Sequence, residues 1–204
     1  MGVDMTDPNH SSRVPSAAAE LLRPLIGKRL VGLVRYSWWP GLEVAQECGV
    51  APSAAFSMTG GPLAMTFENG QTIGLASEPS LASVIVWLDR DAGGRAVREP
   101  TLDQDSELFP IDASDAEFSQ PHWAALLNAK LGGISVLQRR PFNALHAELP
   151  CEVSLCLQFD GGQELLAAHG LHDDSDDFAV LMREQIVPAL IPELESRTLE
   201  WPTT

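Results

Sequence analysis

Two stretches of this chain match each other in order and in spacing. Residues 25–33 align with residues 126–134 without a gap, apolar positions fall on apolar positions, and Gly32 falls on Gly133. A repeat of this kind constrains the fold more strongly than any single motif, because each copy must build the same unit and bury the same face.

A second pair of matched stretches predicts a β-hairpin in each copy. Residues 63–73 align with residues 155–165, and each stretch has two strand-like runs around a short turn. Asn69-Gly70 and Gly161-Gly162 stand at the turns, and such pairs tolerate positive φ at both central positions of a type I′ turn. The sequence therefore predicts a two-residue hairpin in each copy.

A helix before the hairpin and a strand after it complete each predicted unit. Helices are expected over residues 17–26 and 122–130, and closing strands over residues 82–88 and 178–182. An isolated hairpin is barely stable in water, so the two units are expected to share a core. The predicted fold class is α+β, with two diverged helix-plus-antiparallel-β-meander repeats packed as a pseudo-symmetric pair. The alternative is that two unrelated stretches share the same strand-turn-strand pattern.

The repeats also set the predicted domain organisation. We expect a flexible N-terminus over 1–16, the first α+β repeat over 17–88, an acidic linker over 89–120, and the second repeat with a C-terminal helix over 121–204. One short ordered piece is expected in the linker at 108–111. The final helix, over 184–194, is interrupted by Pro188.

The charge of the chain argues against several classes of partner. Thirteen Arg and Lys stand against 28 Asp and Glu, which gives a formal net charge of −15. Such a surface repels phosphate backbones and anionic lipid headgroups, so neither nucleic acid nor a membrane is expected as a partner. The abundance of Ala, Gly and Pro and the scarcity of Lys suggest a GC-rich, bacterial coding source.

Targeting signals and cofactor motifs give no positive indication. No run of apolar residues approaches the length of a membrane span, and the first residues do not form a signal peptide, so a cytoplasmic location is expected. The odd number of cysteines does not favour a disulfide framework. Ser77, Cys151, Cys156 and His146 do not stand in a recognisable nucleophile motif, and no glycine-rich phosphate loop is present, so no catalytic residue and no cofactor is predicted.

One string of residues resembles a metal site in composition. The segment 169–177 contains His169, His172, Asp173 and Asp174, and neutral imidazoles with ionised carboxylates suit zinc or manganese. The spacing matches no known ligand set, and the corresponding place in the first repeat, which begins at Ser77, reads as a turn. The two readings are a divalent-metal site and a longer solvated turn.

Two aromatic residues suggest a recognition surface. Trp38 and Trp39 stand at the end of the first predicted strand, and Arg139 and Arg140 occupy the corresponding positions in the second repeat. Divergence at one place on a shared scaffold is typical of an acquired role, and tryptophan and arginine are enriched at binding hot spots. These four residues are therefore candidates for partner binding, with core packing of at least one Trp as the alternative.

The repeated motif resembles a known class of proteins. The pattern Leu-x-Gly-x-x-Leu-x-Gly-Leu over 25–33, followed by a strand that ends in Phe, an acidic residue and a turn, is similar to that of small bacterial proteins that include acidic immunity proteins, which neutralise secreted toxins. The resemblance covers about half the chain and carries over no functional residue. It implies an intracellular, non-catalytic protein that blocks a basic toxin through complementary charge.

The sequence favours a non-enzymatic bacterial binding or regulatory protein, with an immunity-type inhibitor of a basic protein as the specific form. One alternative is a metal-dependent hydrolase that uses the His and Asp residues of the second repeat. Another is a structural homo-oligomer, such as a homodimer that pairs exposed sheet edges across a two-fold axis.

Overall fold

Two antiparallel sheets of five strands each make up most of the regular structure. The computed structural model describes residues 12–199. The first sheet has the order β4-β3-β2-β1-β5. Its strands are β1 (Leu30–Ser37), β2 (Leu63–Phe67), β3 (Thr72–Glu78), β4 (Ser83–Arg90) and β5 (Phe109–Asp112).

The second sheet repeats this arrangement. Its order is β10-β6-β7-β8-β9. In each half, the first strand pairs on one side with the hairpin and on the other side with an edge strand that comes from the end of that half. Its strands are β6 (Leu131–Arg139), β7 (Glu152–Phe159), β8 (Glu164–His169), β9 (Phe178–Leu181) and β10 (Leu194–Thr198).

The helices are short, and the α+β class is confirmed with sheet as the main component. They are α1 (Ala19–Leu22), α2 (Gly41–Glu47), α3 (Ala55–Met58) and α4 (Pro121–Ala124). The helix predicted over 122–130 is too long, because Asn128 has a φ of +70° and ends the helical turns, as Gly27 does with a φ of +85° in the first half.

The two halves carry the same irregularity in the same place. The pairing of β1 with β2 slips between Leu30 and Gly32, and the pairing of β6 with β7 slips between Leu131 and Gly133. A Cβ atom on Gly32 would lie 3.2 Å from Thr66 Cβ, so a larger residue would crowd the bulge. The strand orders and the bulges of the halves agree, while their origin by duplication stays a prediction.

Reciprocal backbone bonds join the halves where β1 and β6 begin. Gly27 N–H donates to Leu131 O at 2.7 Å, and its counterpart Asn128 N–H donates to Leu30 O, also at 2.7 Å. Arg29 and Lys130, which correspond to each other, form an antiparallel bridge. Because each bond has its counterpart, the two sheets are related here by an approximate two-fold axis.

The inner faces of the two sheets share one hydrophobic core. Alternate residues of each strand point inward, as period-two side-chain geometry requires. The core includes Leu33, Met65, Phe67, Ile73 and Val86 from the first sheet and Ile134, Leu155, Leu157, Phe159 and Val180 from the second, with Trp123 and Phe56 at one side. This common core agrees with the expectation that the two units share a core, since neither buries its apolar face alone.

The hairpin turns differ from the two-residue type I′ turns that were predicted. Phe67 N–H donates to Gln71 O at 2.8 Å, and Phe159 N–H donates to Gln163 O at 2.8 Å, so each loop has three residues. In the first loop Gly70 has a φ of +86°, and Asn69 is not among the residues at positive φ. A three-residue loop that closes on a left-handed glycine also matches the strand twist, and this geometry replaced the predicted one.

The structure corrects two further predictions, one for the acidic segment and one for the C-terminal segment. Residues 89–120 are not only a linker, because β5 pairs with β1 and completes the first sheet. The predicted C-terminal helix is wrong: two short 3₁₀ turns, Arg183–Gln185 and Ile191–Glu193, lead into β10, which pairs with β6. The prolines at 188 and 192 disfavour a helix, because each would remove a helical hydrogen bond. The segment instead covers the outer face of the second sheet.

The predicted N-terminal segment lies mostly outside the described residues, as do residues 200–204. Within the described part, Arg13 exchanges two backbone hydrogen bonds with Val86, which extends the first sheet beyond β4, and a 3₁₀ turn begins at Pro15. None of the helices between residues 12 and 199 has the length and apolar character needed to cross a bilayer.

Candidate functional site

A cleft of about 350 Å³ opens where the β3–β4 turn of the first half meets the second half. We call it the His169 cleft. Its wall includes Ala82, Arg139, Phe142, Cys151, His169 and Asp176. Next to the cleft, β3 and β8, which correspond to each other, are in contact.

Backbone strain is concentrated at this cleft. Four non-glycine residues of the described chain have positive φ, and three of them, Ala82, Cys151 and Asp174, line the cleft. A left-handed backbone costs a non-glycine residue about 1 kcal/mol or more and persists only where the surrounding structure holds it. Such residues cluster at binding and active sites, so their distribution marks this cleft as the leading candidate site.

His169 connects the two halves at the floor of the cleft. Only 6% of its surface is exposed, and its Nδ1 is hydrogen-bonded to the hydroxyl of Ser77, its counterpart at the end of β3. Its Nε2 lies 3.7 Å from Asp176 Oδ1, which is longer than a hydrogen bond. Burial lowers the pKa of His169 below its ordinary value, so the imidazole is neutral at pH 7.

Arg139 forms one wall through two ion pairs. Its Nη1 lies 2.6 Å from Asp174 Oδ1, and its Nε lies 2.8 Å from Glu193 Oε2. One guanidinium is therefore held by two carboxylates, and the charge left around it is negative. The same guanidinium lies 5.7 Å from the centre of the Phe142 ring, and that ring lies 3.9 Å from the imidazole of His146.

Cys151 is not arranged as a nucleophile. Its thiol is buried and donates a weak hydrogen bond to His146 O at 3.4 Å. Burial raises the pKa of this thiol, so the reactive thiolate is disfavoured at neutral pH. The cleft is therefore better suited to binding than to thiol chemistry.

The four residues predicted as metal ligands are not brought together. His169 faces the cleft, Asp174 is paired with Arg139, and His172 lies 3.3 Å from Asp173 on the same turn. Between residues 12 and 199, no group of three or more His, Cys, Asp or Glu side chains is arranged to hold a metal ion. The segment 170–177 is a turn between β8 and β9.

The second candidate site is an exposed aromatic surface at the edge of the first sheet. We call it the tryptophan edge, and it consists of Trp38, Trp39, Leu42 and Phe109. Trp38 and Trp39 are 51% and 52% exposed, and their rings meet edge to face with centroids 6.5 Å apart. Phe109 belongs to the edge strand β5 and pairs with Ser37, the residue before Trp38.

The tryptophan edge is held in position by local contacts. Trp39 N–H donates to Ser37 Oγ at 3.1 Å, which turns the chain at the end of β1. A Cβ on Gly41 would lie 2.7 Å from the Phe118 ring, so glycine is needed where α2 begins. The two tryptophans therefore lie on the surface, and the alternative of core packing does not describe them.

The two predicted arginines differ from each other. Arg139 is held in the cleft, whereas the side chain of Arg140 is 63% exposed and lies 3.0 Å from Glu195 Oε1. An exposed ion pair of this kind contributes little to stability. Arg140 is thus accessible to a partner, and Arg139 is part of the cleft wall.

Several residues of the two sites were not predicted from sequence, namely Ala82, Phe109 and Phe142, whereas Asp176 belongs to the segment 169–177 that the sequence had singled out. Nothing in the local pattern of these residues distinguishes them, because their role depends on contacts across the fold. The repeat did contain one usable signal, since it aligns His169 with Ser77, and such counterparts meet if an approximate two-fold axis passes between them. No family model, no curated protein and no solved structure matches this chain.

Proposed function

We propose that this chain is a non-enzymatic bacterial binding protein that holds a basic protein at the tryptophan edge. The specific form of the proposal is an immunity-type inhibitor that neutralises its partner. The observation that carries it is the pair of half-exposed tryptophans that follows β1, next to the edge strand β5.

The aromatic side chains supply the binding energy in this proposal. Large apolar side chains left in water on a folded protein are unusual when they are adjacent, and Trp is the residue most enriched among binding hot spots. Trp38 and Trp39 are such a pair, and the exposed Phe109 lies on the neighbouring strand, where it pairs with Ser37. Trp38 and Trp39 directly follow the last residue of β1, and the hydrogen bond from Trp39 N–H to Ser37 Oγ holds their backbone, so little backbone entropy is lost when they are covered.

The acidic side chains select the partner. Exposed carboxylates lie on the two elements that carry Leu42 and Phe109: Glu43 and Glu47 are on α2, and Glu107 and Asp112 are next to and within β5. The whole chain has a formal charge of −15. A basic protein would be attracted over a distance of about one Debye length, roughly 8 to 10 Å, and oriented before contact.

The proposal is tested by capture with matched variants. The wild-type protein, a Trp38→Ala/Trp39→Ala double variant and an Ile191→Ala control are each immobilised and exposed to lysate of the source organism at low salt. Ile191 is 54% exposed and lies in the other half, so it matches the tryptophans in exposure only. We expect one basic protein to be retained by the wild type and the control. The double variant should bind it at least about thirtyfold more weakly, since a hot-spot truncation costs about 2 kcal/mol or more.

The inhibitory role needs a second measurement with the identified partner. Cells that produce the partner are expected to survive with the wild-type chain and to die with the double variant, and the affinity should fall as salt rises. Equal binding of the partner by the double variant, or retention of acidic proteins only, would contradict the proposal. Circular dichroism of each variant checks that the fold is retained.

A further inference from the structure

A cavity of about 460 Å³ lies on the outer face of the first sheet, away from the core that the two sheets share. We call it the Asp89 cavity. Its floor includes Tyr36, Ala64 and Thr66, which alternate with inward-facing residues along β1 and β2. Its cover is the loop between β4 and β5, which contributes Leu102 and Asp103. Sites for small molecules typically have volumes of about 300 to 1,000 Å³, so the space is sufficient for a ligand.

The outer faces of the two sheets differ in chemistry. In the second sheet, Leu137 packs with Ile186 and Leu190 of the C-terminal segment in an apolar cluster. The alignment of the repeats places Tyr36 at the position of Leu137, and the loop that covers the first sheet brings the charged Asp103 to this face. The first half therefore has a polar cavity where the second half has an apolar cluster.

Asp89 places a buried carboxylate in the wall of the cavity. Only 2% of its surface is exposed. Its Oδ1 accepts a hydrogen bond from Leu102 N–H at 3.2 Å, and its Oδ2 accepts none from the described residues. Arg90, the next residue, forms its ion pair with Asp103, and no cation of residues 12–199 is paired with Asp89. A buried carboxylate without a cation is costly, and one that lines a cavity offers an unused acceptor to a ligand.

Tyr36 lies near this carboxylate without bonding to it. The residue is 6% exposed. Burial, and after it the charges of Asp103 and Asp89, raises the pKa of Tyr36 to about 12, so the phenol is protonated at neutral pH. No hydrogen bond joins its hydroxyl to Asp89. A ligand between the two residues can use both, because a hydroxyl oxygen also accepts a hydrogen bond.

We propose that the Asp89 cavity binds a small organic molecule that carries one primary ammonium group on an apolar body. The ammonium donates to Asp89 Oδ2 and to the Tyr36 hydroxyl, and the apolar body contacts Val34, Ala64 and Leu102. An ammonium has three donors and no acceptor, which matches two open acceptors. Its bond to the carboxylate is charge-assisted and stronger than one between neutral groups. This ligand site is separate from the tryptophan edge.

The other charged groups of the cavity favour a ligand with a single positive charge. Arg90 Nη2 lies 2.7 Å and 2.9 Å from the two carboxylate oxygens of Asp103, and Arg90 Nη1 donates to Gly94 O at 3.2 Å. Asp103 also accepts a hydrogen bond from the Thr101 hydroxyl at 2.6 Å. The guanidinium is therefore not open to an anion, and Asp103 is not a second open carboxylate. A metal ion would need more ligands, and the described chain holds no group of three that could supply them.

Binding also relieves the burial of Asp89. Burial raises the pKa of this carboxyl above its ordinary value, because removal from water disfavours the charged form. A bound ammonium favours the charged form, so binding lowers this pKa. The affinity is therefore expected to rise with pH until Asp89 is fully ionised.

The test uses 2-phenylethylamine as the probe and the ¹⁵N-labelled full chain. We expect a saturable shift of the amide signals of Gly70, Gly94 and Leu102, which surround the cavity, at about pH 7.5, where the amine is charged. Half-saturation is expected at about 0.1 to 1 mM for a ligand of this size. The alcohol 2-phenylethanol has nearly the same shape without the charge and should bind at least about tenfold more weakly.

Two variants with the same charge change separate the cavity from general electrostatics. Asp89→Asn is expected to weaken 2-phenylethylamine at least about tenfold, since it removes the charged acceptor. It should remain folded, because the amide oxygen can still accept the bond from Leu102 N–H. Glu68→Gln removes an exposed carboxylate two residues before Gly70 and is expected to change the affinity by less than about twofold.

Unchanged signals around the cavity at about 10 mM 2-phenylethylamine overturn the proposal. Equal affinity for 2-phenylethanol overturns it as well, because the ammonium would then contribute nothing. Equal weakening by Asp89→Asn and Glu68→Gln would assign the binding to the acidic surface as a whole and is the third contrary result. The comparison of amine and alcohol uses the wild-type chain alone, so it decides the matter even if a variant does not fold.

Discussion

Replacing Arg35 with methionine is expected to stabilise the protein. Arg35 lies on the inner face of β1, is fully buried, and occupies the position that Val136 holds in the other half. Its Nη2 donates to Phe178 O at 3.0 Å and its guanidinium carbon lies 4.5 Å above the Phe178 ring. Its Nε and Nη1 have no hydrogen-bond partner among residues 12–199. A buried cation with two unsatisfied donors is costly.

The magnitude follows from the balance of these contacts. Burial lowers the pKa of Arg35 from its ordinary value to about 9, which corresponds to roughly 4 to 5 kcal/mol at 1.36 kcal/mol per pKa unit. Methionine is unbranched and of similar length, so it fills the same space, but it loses the hydrogen bond and the ring contact with Phe178. A net gain of about 1 to 3 kcal/mol is expected, or roughly 2 to 4 °C in Tm for each kcal/mol.

Urea unfolding followed by circular dichroism measures this effect, with an unchanged m-value as the sign that only stability has changed. Above about pH 9 the folded chain releases the Arg35 proton while the unfolded chain still holds it, so the free energy of unfolding of the wild type rises with pH there. The advantage of Arg35→Met should therefore shrink above pH 9. Arg35→Lys keeps a charge and serves as the control without a gain. If Arg35→Met lowers stability by more than about 1 kcal/mol, the guanidinium is favourable and the reasoning is refuted.

Three further substitutions test other parts of the structure. Gly74→Ala should destabilise the first sheet by about 1 to 3 kcal/mol, because its Cβ would lie 2.1 Å from the Trp87 ring, and Trp87→Leu should recover part of the loss in a double-mutant cycle measured by urea unfolding. Asp89→Asn should raise the Tm at pH 7, since burial raises the pKa of this carboxyl while an amide oxygen can still accept the bond from Leu102 N–H. The wild type should lose stability below about pH 6.5, because burial lowers the pKa of His169 and the unfolded chain takes up the proton first. His169→Gln should reduce this loss, measured as the change of Tm with pH.

Each of these expectations has an outcome that contradicts it. A Gly74→Ala variant as stable as the wild type would mean that the Trp87 ring moves aside freely. An Asp89→Asn variant that melts lower would show that the carboxylate is held by its neighbouring arginines more strongly than burial disfavours it. If the Tm of His169→Gln falls with decreasing pH as steeply as that of the wild type, other titrating groups cause the loss of stability.

Much of the scaffold could be predicted from the sequence. The matched hydrophobic patterns and turn glycines indicated the hairpin and closing strand of each half, and the α+β class followed from them. These features depend on local alternation of side chains and on which residues tolerate a left-handed backbone, and a sequence displays both directly. The bulge glycines, Gly32 and Gly133, also kept the same place in both halves.

Turn geometry and chain ends were decided by tertiary contacts. β5 and β10 form because each finds an open edge of a strand far away in the chain, and short segments with little periodicity give no sign of such a partner. The C-terminal segment was predicted as a helix because its apolar spacing fits one. Its two prolines and the uncovered outer face of the second sheet determined the extended path instead.

The candidate sites depend most on the three-dimensional structure. The sequence by itself indicated Trp38, Trp39 and His169 as unusual, because residue type is visible without a fold. Only the packing of two sheets about an approximate two-fold axis brings Ser77 to His169 and buries Arg35 with two nitrogens that find no partner in the described part of the chain. Local pattern fixes which face of a strand is apolar, whereas the distance between two side chains ninety residues apart is set by how those faces meet.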